Sequence, residues 1–427
     1  MPPAIPSVSV FRDRNFVLFL IGQMISTQGL WIQKIAMAWL AWTLTGSAFW
    51  TGFIAALNFA PAVFLGPVFG VMADRVDLRR MAMILNGTMA AIAVALMAMS
   101  WAGQINLVWM VVFSAANGIV ASAMTPVRLA LVPIIVRREH MSRAVTYAAM
   151  NFNISRLVGP AIGSLVIASA GVGAAFLINA LSYLPFVFIL GLLHIHVERA
   201  PDAKSRRVLA ALVDGAVYAV QHRMIRSVLG LSCFVALVGT GMVELLPVFS
   251  DAVYERGVTG LGILSSSAGI GAVASTLMLS QLPSEPYYFK RIAIIGAFLA
   301  GCGLIGLGFA PWFELAVVLV VLSGFGLTAV GVGSQTALQL AVDNTLRGRV
   351  MSFWSATSFG GIALGGTLLG AISEFAGVQI TARGSGILIV LAAIFAGWRL
   401  CQNFATPDGQ TPHAALPGKS PDAPPES

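Results

Sequence analysis

Charge is what this chain has least of. Of its 427 residues only 10% are Asp, Glu, Lys or Arg, and the mean hydropathy is +0.87. Soluble domains carry about 25% charged residues, so a water-facing globular surface is excluded. Cysteine is scarce too: Cys233, Cys302 and Cys401 have no metal-type spacing and fall in apolar runs. They exclude a disulfide framework and read as buried free thiols. Of five histidines, His194, His196 and His222 lie in one polar stretch, where solvated interfacial side chains are expected rather than a metal site. The chain lacks a Gly-rich nucleotide loop and a separate catalytic domain, which disfavours an ATP-driven pump and a membrane enzyme alike. No cofactor is expected. Met1–Arg14 is short and Pro-containing and leads into an apolar run too long for a signal-peptide core, so that run is expected to stay as a membrane helix.

What is there instead is hydrophobic length. A span needs roughly 20 apolar residues to cross about 30 Å of hydrocarbon. Twelve candidate runs qualify: about 15–44, 49–72, 81–101, 106–125, 145–170 and 173–193, then about 226–250, 259–281, 291–309, 313–336, 350–375 and 384–402. With the N-terminus in the cytoplasm, every Lys and Arg falls on the cytoplasmic side except four. Arg256 and Arg383 are outside, and Lys34 and Arg156 are within spans. That asymmetry is the positive-inside rule. The net charge of +8 is therefore topological and does not call for nucleic acid.

Six spans return a chain to its starting side, so twelve suggest two halves of like orientation. An offset of 206 residues pairs Gly118 with Gly324, Arg143 with Arg349, Gly159 with Gly365 and Gly171 with Gly377, and Asn15 with Gln221 near the start of the seventh span. The fold expected is all-α and membrane-integral, with two six-helix bundles related by a pseudo-two-fold axis along the membrane normal. The divisions are 1–193, a cytoplasmic linker 194–225, 226–402, and a Pro-rich tail 403–427 expected to be disordered. Within the linker, Val208–Gln221 has helical apolar periodicity suited to the membrane surface. Small residues recur in the eighth span (Ser265–Ser267, Gly269, Gly271) and the eleventh (Gly360, Gly361, Gly365, Gly366, Gly370). They serve close helix packing, sliding, or both.

The loop after the second span reads Gly70-Val-Met-Ala-Asp74-Arg75-Val-Asp77-Leu-Arg79-Arg80. It resembles the signature loop of the major facilitator superfamily. Gly70 would permit a close crossing, Asp74 a pairing with Arg or a helix N-terminus, and Arg79 and Arg80 would hold the loop inside. The resemblance implies a conformational latch between bundles; Asp77 replaces a usual glycine. Gly159-Pro160 and Gly163-Ser164 in the fifth span are similar to the antiporter Gly-Pro motif, with Ser164 where a second glycine is usual. That motif implies tight packing that seals the cavity. Phe11–Phe16, Gly29–Lys34, Trp39-Leu40, Leu44–Ser47, Phe176–Tyr183 and Arg347–Val350 look like the bacterial drug and siderophore exporter branch. Many proton-coupled members carry an Arg four residues before the fourth-span glycine; here that position is Ser114.

Intramembrane charge is costly, about 2.5–3.5 kcal/mol per group on insertion scales, so it usually meets a cavity or a partner. Lys34 shares a helical face with Gln23 and Thr27. Arg156, flanked by Asn151 and Asn153, lies mid-depth in the fifth span, and Glu244 lies in the seventh. Two readings stand: a structural ion pair of Glu244 with Lys34 or Arg156, or a site where the cations attract an anionic substrate and Glu244 exchanges protons. Asn58, Asn86, Asn117 and Asn179 read as interhelical hydrogen-bonding groups. The expectation is a monomeric secondary transporter of the inner membrane, both termini cytoplasmic, exporting a small amphipathic or siderophore-like compound by proton antiport. An importer or uniporter of the same fold is the alternative, and a receptor or assembly factor that has lost transport a more distant one.

Overall fold

The computed structural model describes residues 14–73, 76–136, 141–192, 217–218, 221–283, 285–342 and 344–405. The described elements are helices, with no strand among them. The first bundle comprises α1 Arg14–Thr45, α2 Ala48–Ala73, α3 Leu78–Trp101, α4 Leu107–Ile135, and α5 and α6, the two parts of Met141–Leu192. The second comprises α7 Met224–Val253, α8 Gly257–Leu279, α9 Pro286–Phe309, α10 Phe313–Ala341, α11 Asn344–Ala376 and α12 Val378–Ala405. Gly171 separates α5 from α6 at φ 79°, and Gly377 separates α11 from α12 at φ 83°. Only glycine takes that backbone without cost, and the two turns stand at equivalent places in the halves.

Several helices overrun their apolar stretches. α4 continues to Ile135, ten residues past the run, and α9 starts at Pro286, five before it. A helix ends where capping ends it, not where hydrophobicity stops: proline opens α9, and the Asp77 side chain accepts from the Arg79 and Arg80 N–H groups to open α3. Arg128 and Arg383, read as loop residues from sequence, consequently lie on helices. Arg383 donates to the Gly308 carbonyl at 2.7 Å and covers the Phe309 ring, closing the end of α9.

The repeat is visible in how glycines pack. A Cβ at Gly118 would strike the α2 carbonyl of Leu57, and one at Gly324 the α8 carbonyl of Ala268. Gly159 abuts Trp31 of α1 as Gly365 abuts Leu237 of α7. These equivalences keep the 206 offset. The second helix of each half does not: Gly52 meets Gly366 as Gly262 meets Pro160, so Gly52 is equivalent to Gly262 and the offset there is 210.

The bundles meet where α2 crosses α11 and α5 crosses α8. Gly366 and Gly370 face Gly52 and Ala48, and Gly269 faces the backbone of Leu157. Gly361 and Gly365 instead face α7, and Gly271 faces α10. One small-residue stripe therefore lies between the bundles and another within one. Ser164, the departure from the Gly-Pro motif, is accommodated because the residue facing it is Gly262.

A single apolar cluster spans both bundles, and its first-bundle members, from Ile32 to Ala41 and around Ile54 and Phe176, lie toward the charge-poor end. At the end carrying Arg79, Arg80, Arg226, Lys290 and Arg291, the described residues form separate clusters, one in the first bundle and two in the second. The molecule is closed at its charge-poor end and divided at its basic end.

Candidate functional site

Of the sequence-derived candidates, Lys34 and Glu244 come together. The Lys34 ammonium lies 3.0 Å from the Glu244 carboxylate and crosses from α1 to α7, hence between bundles. Glu244 is 9% exposed and Lys34 37%, so the pair is sheltered but reachable. The two residues are 210 positions apart in the chain. Glu244 lies between two π-helical turns, Ala236–Thr240 and Phe249–Val253. Such turns re-aim side chains and recur at functional positions.

Aromatic rings wall this centre. The Lys34 ammonium is 5.2 Å from the Trp31 ring centroid and 5.3 Å from that of Phe59, at distances where the ring faces attract a cation. Phe59 stacks on Phe359 of α11 across the interface at 6.3 Å, and Trp31 meets Phe152 edge-on at 5.8 Å. Arg156 feels the Glu244 carboxylate electrostatically, but the close ion pair of Glu244 among the described residues is the one with Lys34.

Unmade hydrogen bonds gather on α5 just before Arg156 in sequence and on the α1 residues that pack against Gly159. Both amide atoms of Asn151, Oγ of Ser155, Nε1 of Trp31 and Oε1 of Gln28 are buried without a partner among the described residues. Buried polar groups normally find partners, so this cluster is equipped to bind something polar. Asn153 is half-buried. Gln23 and Thr27 share the Lys34 face but are 4% and 5% exposed, and Thr27 donates to the Gln23 carbonyl of its own helix. They are enclosed in the first bundle and do not join the ion pair.

Two contacts escaped sequence reading. Trp42 Nε1 donates to Asp251 at 2.8 Å, and Glu374 accepts from Ser47 Oγ and the Phe49 N–H at the start of α2. Both cross between bundles at the charge-poor end. Acids were scarce there, and that scarcity was the available signal. Arg128 was also missed: its guanidinium lies 5.8 Å from the Phe152 ring, facing the same aromatic side chain as Trp31.

The latch candidates behave differently from one another. Asp74 and Arg75 lie outside the described residues. Among the described residues nothing lies within 4 Å of where a Cβ at Gly70 would stand. Arg79 donates to the Gly191 carbonyl of α6, and Arg80 pairs with Asp77 at 3.5 Å; both contacts stay within the first bundle. Gly163, like Gly159, packs on α1, against Ile32, and Pro160 sits inside α5 without interrupting its helical dihedrals. Ser114 is fully buried with no partner for its hydroxyl among the described residues. Asn117 donates to Asn58, and Asn179 to Gln33, across helices as expected, whereas Asn86 returns mainly to its own helix. Cys233 and Cys302 are free but only half-buried, which corrects the expectation of buried thiols; the Cys401 side chain, most of the linker and nearly all of the tail lie outside the described residues.

Comparison with known proteins agrees with this architecture. The chain is 26% identical over 391 residues to the staphyloferrin A transporter of Staphylococcus aureus, covering 88% of this chain and 92% of that one. It is 24% identical over 380 residues to the enterobactin exporter EntS of Escherichia coli, covering 88% and 89%. Among solved structures, the nucleoside transporter NupG superposes with a TM-score of 0.70 at 15% identity, covering 91% of this chain and 99% of that one. A bacterial homologue of the lysosomal transporter Spinster, inward-facing and occupied, gives 0.71 at 14% identity, covering 92% and 98%. The profile of the transmembrane secretion effector family matches residues 5–417. With its twelve helices in two bundles, this multi-pass membrane protein belongs to that family of major facilitator transporters.

Proposed function

We propose that this protein is a proton antiporter of the inner membrane that exports a small amphipathic, oxygen-rich, siderophore-like compound by alternating access. The observation that carries the reading is the Lys34–Glu244 pair joining the two bundles. The names of the two relatives, a staphyloferrin A transporter and an enterobactin exporter, support the substrate class. On this reading the basic end is cytoplasmic, both termini are cytoplasmic, and the state described here faces inward.

The chemistry follows from the charges. Anionic substrate oxygens go to Arg156 and Lys34, hydroxyl donors go to the ionised Glu244, and apolar rings lie on Trp31, Phe59 and Phe359. A protonated Glu244 loses its value as an acceptor, so proton and substrate oppose one another at one carboxylate, as antiport requires. When the bundles rock, α1 and α7 separate, and a sheltered carboxylate deprived of its cation takes up a proton from outside. Re-forming the pair on the inward side releases it. Gly70, Asp74, Arg75, Arg79 and Arg80 then latch the basic end in the outward state, and Gly159, Pro160 and Gly163 hold α5 tightly against α1.

Flux in inverted vesicles tests this. Export driven by an imposed pH gradient is expected for the native protein and loss of that dependence for Glu244→Gln; full dependence retained in Glu244→Gln would reject the proton role. Thermal-shift screening of siderophores and antimicrobials is expected to find a ligand whose stabilisation disappears in Arg156→Ala. Flux in the opposite direction would favour the importer reading.

A further inference from the structure

A second basic site lies away from the translocation centre. At the basic end of the second bundle, α7, α9 and α12 enclose a cavity of about 530 Å³ lined by Arg226, Lys290, Arg399, Ser227, Phe234 and Phe395. One water takes a share of about 30 Å³, so this space is far larger than an ion or a few waters need. Three cations from three helices converge on it. Arg226 lies in the first turns of α7 and Lys290 in those of α9, and neither His222 nor Glu285, the residues preceding these helices, caps with its side chain. Their N-terminal dipoles add to the positive field.

The depth and the wall chemistry identify the occupant. Tyr287, Tyr288 and Trp398, 37%, 38% and 56% exposed, stand within one turn of Lys290 on α9 and of Arg399 on α12, the helix-end positions where interfacial aromatics concentrate. Phe395 is 53% exposed and Ile394 56%, giving an apolar outer face below the charges. A smaller recess continues inward past Lys290 to Ser334, whose hydroxyl is buried with no partner among the described residues. We infer that this cavity binds an anionic glycerophospholipid of the inner leaflet: the phosphodiester on Arg226, Lys290 and Arg399, the glycerol oxygens toward Ser227, and the acyl chains along Phe395 and Ile394. Basic pockets between membrane helices take such headgroups. The site does not depend on the transport reading, because Lys34, Glu244 and Arg156 line none of it.

Native mass spectrometry of the full-length protein tests the assignment, in detergent doped with dioleoylphosphatidylglycerol, cardiolipin or dioleoylphosphatidylcholine. Retention of the anionic lipids is expected to exceed that of phosphatidylcholine by at least tenfold, and to fall on the order of tenfold in the combined Arg226→Gln, Lys290→Gln, Arg399→Gln variant. Should that variant fail to fold, the single substitutions and their charge-keeping partners Arg226→Lys and Arg399→Lys give the same comparison, with retention expected in the Lys forms. Equal retention of anionic and zwitterionic lipid, or retention unchanged by every charge removal, overturns the proposal. So does equal thermal stabilisation by inorganic phosphate or glycerol 3-phosphate, which would make this a soluble-anion site.

Discussion

Gly370→Ala gives the sharpest test of how this molecule changes state. A Cβ at position 370 would stand 2.5 Å from the Ala48 carbonyl oxygen and 3.0 Å from Phe49 Cα. Ordinary contact begins at 3.4 Å, so α2 and α11 must part by about 1 Å. Both obstacles are backbone, which no rotamer change can move aside. Overpacking of this kind costs about 1–3 kcal/mol. On the proposed alternating-access reading, the cost falls on the state closed at the charge-poor end and is relieved when that end opens, because α2 and α11 belong to different bundles. The equilibrium is expected to move toward the open form by roughly 5- to 150-fold. Spin labels at Gln104 and Pro311, on loops of opposite bundles at the charge-poor end, read this as a longer interspin distance. Gly118→Ala is the control. Its clash with Leu57 is inside one bundle, so it should lower thermal stability without shifting the distance distribution. An unchanged distribution in Gly370→Ala, or equal shifts in both variants, would refute the reasoning.

Other outcomes follow from single contacts. Trp42→Phe removes a hydrogen bond to the Asp251 carboxylate, worth about 1–2 kcal/mol, and should lengthen the same interspin distance in the same direction. Asp77→Ala strips the cap from α3 and should destabilise the first bundle by about 1 kcal/mol, seen as a lower melting temperature, with Asp77→Asn close to native. Burial pushes the Tyr254 phenol up to about 12, from an ordinary value near 10, while it donates to the Ala310 carbonyl. Its stabilising contribution is therefore complete below pH 10 and lost as pH rises through 12; ultraviolet titration showing an ordinary phenol would refute that. Cysteines placed at Gly46 and Lys204 should react with impermeant reagents from opposite faces of the membrane.

Much of the fold was legible because lipid imposes simple rules. Twelve apolar lengths suffice to count helices, and a one-sided distribution of Lys and Arg to tell the two ends of the bundle apart, since backbone and charge are both costly in hydrocarbon. The glycine pairs Gly118/Gly324 and Gly159/Gly365 were readable because close crossings tolerate nothing larger. Helix ends were less so. Arg128 and Arg383 sit on helices that caps and backbone hydrogen bonds extend beyond the apolar runs. The Lys34–Glu244 pair was one of two options for Glu244, and the geometry selects Lys34. Trp42–Asp251 and the Glu374 contact with α2 were invisible, because they join residues more than 200 positions apart on no periodic pattern.

Composition and patterning by themselves determined that this chain lives in a bilayer, how often it crosses, that it is two copies of one design, and which few charges lipid would not tolerate uncompensated. Those properties are sums over residues or local spacings, and no partner need be known to read them. Tertiary structure alone decided which carboxylate meets which ammonium, that the second helix of each half is offset by 210 rather than 206, and that the bundles join at one end and part at the other. Each depends on how two separately folded bundles dock, and docking is set by surface complementarity that a linear pattern does not carry.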